Sequence, residues 1–166
     1  MTVIKFAYRK ERDVSMNYYE KTCLTCYPFI DAVVRQIENV IKKNAKNSFY
    51  GGSAERIAEK IIDLSEARVD LIELKDYVKS AYETLDALDK ELIAYKYFGL
   101  TPKSKNFDHT SRNYFRRQVR ALKTFSKQLK SEGLDEDRFS ARYVKIAFIN
   151  ETYKRIIKEE GKKHVR

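Results

Sequence analysis

Apolar residues recur along this chain mainly at helical spacing. The longest run is Leu64, Ala67, Leu71, Leu74, Val78, Ala81, Leu85, Leu88, Leu92 and Tyr95, which step by three and four in strict alternation. That spacing is the a/d seam of coiled-coil packing, in which every apolar side chain needs a second helix to cover it. The cover would come from a helical hairpin with residues 28–44 or from a second copy of the chain. Thr84, Asp86 and Asp89 are helix-capping residues inside the seam and mark a break within it. The second of the two helices then ends at Gly99, with Pro102 beyond it.

Upstream, Pro28 suits a first helical turn. After it Ile30, Val33, Val34, Ile37, Val40 and Ile41 repeat on one face. A shorter helix is expected over about residues 13–24. Residues 1–12 alternate only weakly, at Ile4, Phe6 and Tyr8, and read as an arm. Residues 47–53, with Gly51 and Gly52 at their centre, read as a loop. Downstream, Phe115, Val119, Leu122, Phe125 and Leu129 mark the buried face of a helix that starts with a Ser111 cap and stops at Gly133. Phe139, Tyr143, Ile146, Ile149, Tyr153 and Ile156 mark a last helix over about residues 135–160. The pattern therefore predicts an all-α chain in three stretches. Residues 1–83 form an N-terminal helical hairpin or coiled-coil-like arm. Residues 84–133 form a helix-turn-helix-like three-helix unit, and residues 134–166 a C-terminal helix with a basic tail.

Composition agrees with this reading. The 166 residues include 43% hydrophobic side chains, enough for a core, but five Gly and two Pro, few for a chain rich in tight turns. No window approaches 18 apolar residues, so no membrane span is expected. Lys5 and Arg9 interrupt the apolar stretch near the start, so no secretory leader is expected either, and the expected location is cytoplasmic.

Charge changes the picture more, because it is placed rather than spread. Residues 103–130 hold nine Lys or Arg against one acid, Asp108, and so carry +8 of the chain's formal +10. Residues 53–91 hold eleven acids against six bases. At about 100° per residue, Arg112, Arg116, Arg120, Lys123, Lys127 and Lys130 fall within an arc of roughly 80°. One side of this helix is built to be buried and its neighbour to meet anions. Arginine predominates in the N-terminal half, and guanidinium forks suit phosphates and guanine edges.

The strings TLDALDKELIAYKYFG (84–99) and HTSRNYFRRQVRALKTFSKQL (109–129) resemble the C-terminal helix-turn-helix of bacterial sigma factors, region 4. They are more similar still to the small ArpU-like and RinA-like regulators of Gram-positive phages and prophages. The resemblance implies a DNA-binding transcription regulator, with residues 88–98 as the supporting helix and residues 111–129 as the recognition helix. Between them that family places a short helix, whereas residues 100–109 offer only Leu100 and Phe107 as apolar anchors. Arg112, Asn113, Arg116 and Arg117, in the first turns, would lie nearest the bases. Lys103, Lys105, Arg120, Lys123 and Lys127 would take backbone phosphates, and Ser111 would start the helix. Duplex DNA is then the partner, with RNA polymerase and a second copy joined through the seam as further candidates. Tyr114, at the border of the apolar face, is read as a core or rim residue.

Rival readings come from other classes. The Leu64–Tyr95 seam could serve a protein-interaction or scaffold function, and arginine with tyrosine also suits RNA. Catalysis is not expected. Cys23 and Cys26 have the spacing of half a zinc or redox site, but there is no third cysteine, and His109 and His164 lie far away in sequence. Two reduced, partly buried thiols are the expected state. Gly51-Gly52 lacks the Lys-Ser/Thr of a phosphate-binding loop. The acids of residues 53–91 recur on the outward side of a helix and read as a charged surface. No cofactor and no metal are expected.

Overall fold

Side-chain caps and glycine stops set the helix ends. The computed structural model describes residues 16–47, 53–103 and 112–163, and all regular structure among them is helical. Helix α1 (Tyr18–Cys26) passes through a short 3-10 turn at Tyr27–Phe29, which contains Pro28, into α2 (Ile30–Asn47). Ser53 opens α3 (Ala54–Glu83), its hydroxyl accepting from the Arg56 amide. Asp86 opens α4 (Ala87–Phe98), its carboxylate accepting from the Asp89 amide at 2.8 Å. Gly99, at φ 66°, ends α4 in the left-handed conformation that a side chain would strain. Helix α5 (Arg112–Ser131) is followed by Gly133 at φ 98°, where the Leu134 amide returns to the Leu129 carbonyl. The expected Ser111 cap, the loop at 48–52 and most of the 100–109 connection lie outside the described residues.

The apolar seam is covered from within the chain. Helices α2 and α3 lie antiparallel, with Lys75 on Asp31 at 2.7 Å and Arg68 on Glu38 at 2.8 Å. Exposed ion pairs of this kind contribute at most about 1 kcal/mol each, so the apolar seam sets the register. Along this hairpin α2 buries only Ile30 fully, and Val33, Val34 and Ile37 are half-buried. Further along α3, Leu71, Leu74, Val78 and Ala81 are fully buried, and Leu85 is buried beyond it, where α3 packs against α1 and α5 as well as α2. The break expected at residues 84–89 is present.

Helix α1 is the axis of the core. Tyr19, Cys23, Leu24 and Cys26 are buried along it, and Glu20 and Thr22 are buried between them. One buried cluster joins these residues to Leu71 and Leu74 of α3, Ile93 of α4, Phe125 and Leu129 of α5, and Phe139, Tyr143 and Ile149 beyond. It draws on residues from all three sequence stretches.

The C-terminal segment departs from expectation. Instead of one helix there are two, α6 (Glu136–Arg142) and α7 (Ala147–Lys163), with a turn at residues 143–146. No Gly or Pro marks the turn. Phe139 and Tyr143 pack beside Tyr19, while Ile149, Thr152 and Ile156 are buried on α7, which lies along α1. The bend lets both groups reach the core, a tertiary demand that overrides local helical preference. Arg142, bonded to Asp70 at 2.7 Å and Glu73 at 2.6 Å, ties α6 to α3. Among the described residues no helix is long and apolar enough to cross a membrane.

Candidate nucleic-acid interface

Helix α5 has a core face and an outward face, as its sequence pattern demands. Gln118, Ala121, Leu122, Phe125 and Leu129 are buried, and Arg112, Asn113, Arg116, Arg120, Lys123, Lys127 and Lys130 are exposed. Its two apolar residues nearest the N-terminus behave differently from the expectation of a buried face. Val119 is half-buried, and Phe115 is 45% exposed. Full burial on α5 begins only at Gln118, so the first turns extend past the core. Tyr114 is half-buried, as expected of a rim residue, and burial raises its phenol pKa.

The outward cations are not equivalent. Arg117 is turned toward α4, where its guanidinium donates to Asp89 at 2.8 Å and to both carboxylate oxygens of Asp86 at 3.0 and 3.1 Å. Asp89 is buried, so one arginine fork holds a buried carboxylate and the cap of α4 together. The Asp89 amide and then Arg117 stabilise the Asp86 carboxylate and lower its pKa below the ordinary aspartate value. Arg120 stands 3.6 Å from Asp89 and 3.8 Å from Asp86, with its side chain 61% exposed. At the far end of α5, Lys130 lies 3.5 Å from the buried carboxylate of Glu20, which also accepts from the Ser126 hydroxyl at 2.6 Å.

Arg112, Arg116, Lys123 and Lys127 make no ion pair among the described residues. They form a cationic stripe with Asn113 at its N-terminal end. Lys103 is exposed just after α4, its backbone amide donating to Glu91. Lys105 and Ser111 lie outside the described residues. The structure therefore brings Arg112, Asn113, Arg116, Arg120, Lys123 and Lys127 onto one face, and it turns Arg117 away toward α4.

The sequence pattern marks Asp86 and Asp89 only as helix-capping residues and does not reveal their hold on α5. A signal exists all the same: Asp86 and Asp89 are three residues apart, as are Arg117 and Arg120, so two adjacent helices can match them pair for pair. Replacing Asp89 with alanine removes the partner of the Arg117 Nε and leaves its guanidinium only the bonds to Asp86. The variant is expected to lose about 1–3 kcal/mol of stability, read from the urea midpoint, without weakening duplex binding. A midpoint equal to the wild type would mean that the α4–α5 clamp carries no stability.

Cys23 and Cys26 are free thiols and fully buried rather than partly so. Burial raises both pKa values, that of Cys26 to about 11 despite its hydrogen bond with Thr152. Both therefore stay in the unreactive thiol form at neutral pH. His109 and His164 lie outside the described residues, and among those described no cluster of three His, Cys, Asp or Glu could hold a metal ion. Compared with protein-family models, curated proteins and solved structures, the chain matches none.

Proposed function

We propose that this chain is a DNA-binding transcription regulator, similar in its α4–α5 region to sigma region 4-like regulators, that lays α5 along the major groove of duplex DNA. The observation that carries this reading is the stripe of cations, without an ion pair among the described residues, on a helix anchored along its other side by Ala121, Phe125 and Leu129. A helix fits the width of the major groove, and a rigid anchor holds its register. Arg112, Asn113 and Arg116, in the first turns, face the base edges, where Arg grips guanine and Asn grips adenine. Lys123 and Lys127, joined by Lys103, Lys105 and the half-shared charge of Arg120, take phosphates and position the protein without reading sequence.

Arg117 is a scaffold residue in this account. Its guanidinium is already spent on Asp86 and Asp89. Glu55, Glu59, Asp63, Glu66, Asp76 and Glu83 are exposed on α3 and keep phosphates off the hairpin, whereas Asp70, expected on that surface, is buried against Arg142 and Lys145. RNA polymerase and a second copy of the chain remain proposed partners, although the seam through which that copy was expected to join is covered by the chain's own helices.

Salt tests the reading. Each phosphate neutralised makes log K fall by about 0.9 per decade of salt, so three to five contacts predict a slope of roughly −3 to −4.5. Fluorescence anisotropy of a labelled duplex across a salt series measures it. A slope near zero, or no binding to any duplex at low salt, would sink the proposal. Preferential binding of structured RNA over duplex in direct competition would move the same face to an RNA partner.

A further inference from the structure

The stripe has an apolar neighbour that its electrostatics do not explain. Phe115 is 45% exposed and lies on α5, three residues after Arg112 and next to Arg116, with half-buried Val119 one turn further on. At helical spacing this puts an aromatic ring and a branched aliphatic side chain along one edge of the cation row. Tyr114 meets the Phe115 ring edge-on, at 5.2 Å between centroids and 80° between planes. Tyr114 is itself half-buried. An exposed phenylalanine keeps apolar area in water that a partner could cover. Its position beside groove-facing arginines decides which partner.

We propose that Phe115, with Val119 beside it, packs against thymine C5-methyl groups in the major groove and makes α5 selective for thymine next to the bases that Arg112, Asn113 and Arg116 grip. This rests on the duplex reading above. The C5-methyl of thymine is the apolar substituent that a major groove offers, and contact with it by an apolar side chain is a sequence-reading interaction. The lysines track phosphates along any sequence, and Arg112, Asn113 and Arg116 read guanine and adenine but not thymine. A ring on the edge of the stripe adds a preference that charge cannot supply.

The test removes the methyl and nothing else. A duplex selected from a random library at moderate salt is remade with deoxyuridine in place of thymidine, and both forms are titrated with the full chain. The wild type is expected to bind the uracil form more weakly, by about fourfold for each methyl covered. Phe115→Ala is expected to bind the two forms with nearly equal affinity while keeping the salt slope of the wild type. Its thermal unfolding is followed in parallel, and the wild-type comparison stands whether or not the variant folds. Equal wild-type affinity for both duplexes, a Phe115→Ala protein that keeps the wild-type ratio, or selected sites without thymine would each overturn the thymine contact. In those cases the duplex reading survives. Failure to select or bind any duplex overturns that reading itself.

Discussion

Replacing Arg112 and Arg116 together by glutamate abolishes duplex binding, with affinity reduced by at least about a hundredfold at moderate salt and the helical content unchanged. Each well-made arginine contact to a base edge contributes about 1–3 kcal/mol, and the reversed charges then repel the phosphates beside it. The fold should not notice. Both side chains are exposed and make no ion pair among the described residues, and surface changes of that kind usually stay within about 0.5 kcal/mol. Mobility shift with a labelled duplex, alongside circular dichroism and thermal unfolding, separates the two effects. A double variant that binds as the wild type does would remove α5 from the interface, and the outer side of the α2–α3 hairpin would become the better candidate surface. The same substitutions leave any partner of that hairpin unaffected.

Phe125→Ala is expected to cost about 3–5 kcal/mol of stability, a large share of what holds a domain of this size together. Phe125 is fully buried in the cluster that joins α1, α3 and α5. Its loss leaves a cavity between three helices that cannot all close on it. Urea denaturation gives the measure. A midpoint within experimental error of the wild type would mean that α5 is docked only loosely, and a loosely docked helix could not hold Arg112 and Arg116 in a fixed register. Gross stability and DNA binding are thus linked through one buried side, and the exposed side can be altered without touching the other.

Much of this arrangement is legible in the amino-acid sequence. The seam from Leu64 to Tyr95 stands out because two helices packed side by side bury one narrow stripe each, which leaves a clean period in the sequence. The stops at Gly99 and Gly133 are legible because their backbone takes positive φ, which glycine alone adopts without strain. The cation stripe is legible for the same reason as the seam, being one-sided.

What the sequence hides is many-sided or tertiary. Helix α1 is buried on nearly every side, so Tyr19, Cys23, Leu24 and Cys26 leave no amphipathic pattern to mark it as the centre of the core. The turn between α6 and α7 has no breaker residue and follows from where Tyr143 and Ile149 must go. The diversion of Arg117 to Asp86 and Asp89 depends on how α4 lies against α5, and periodicity within one helix says nothing of its neighbour's charges. Phe115 reads as core because its spacing matches Leu122 and Leu129, but the core ends before the helix does.

The central claim is that the outward face of α5 is the duplex-binding surface. Amide chemical-shift mapping tests it most directly, by titrating isotope-labelled protein with a short duplex at moderate salt. The account predicts that the largest changes fall on Arg112, Asn113, Arg116, Lys123 and Lys127, with little change along the outer side of the α2–α3 hairpin. Changes concentrated on the hairpin, or none on α5 at saturating duplex, would contradict it.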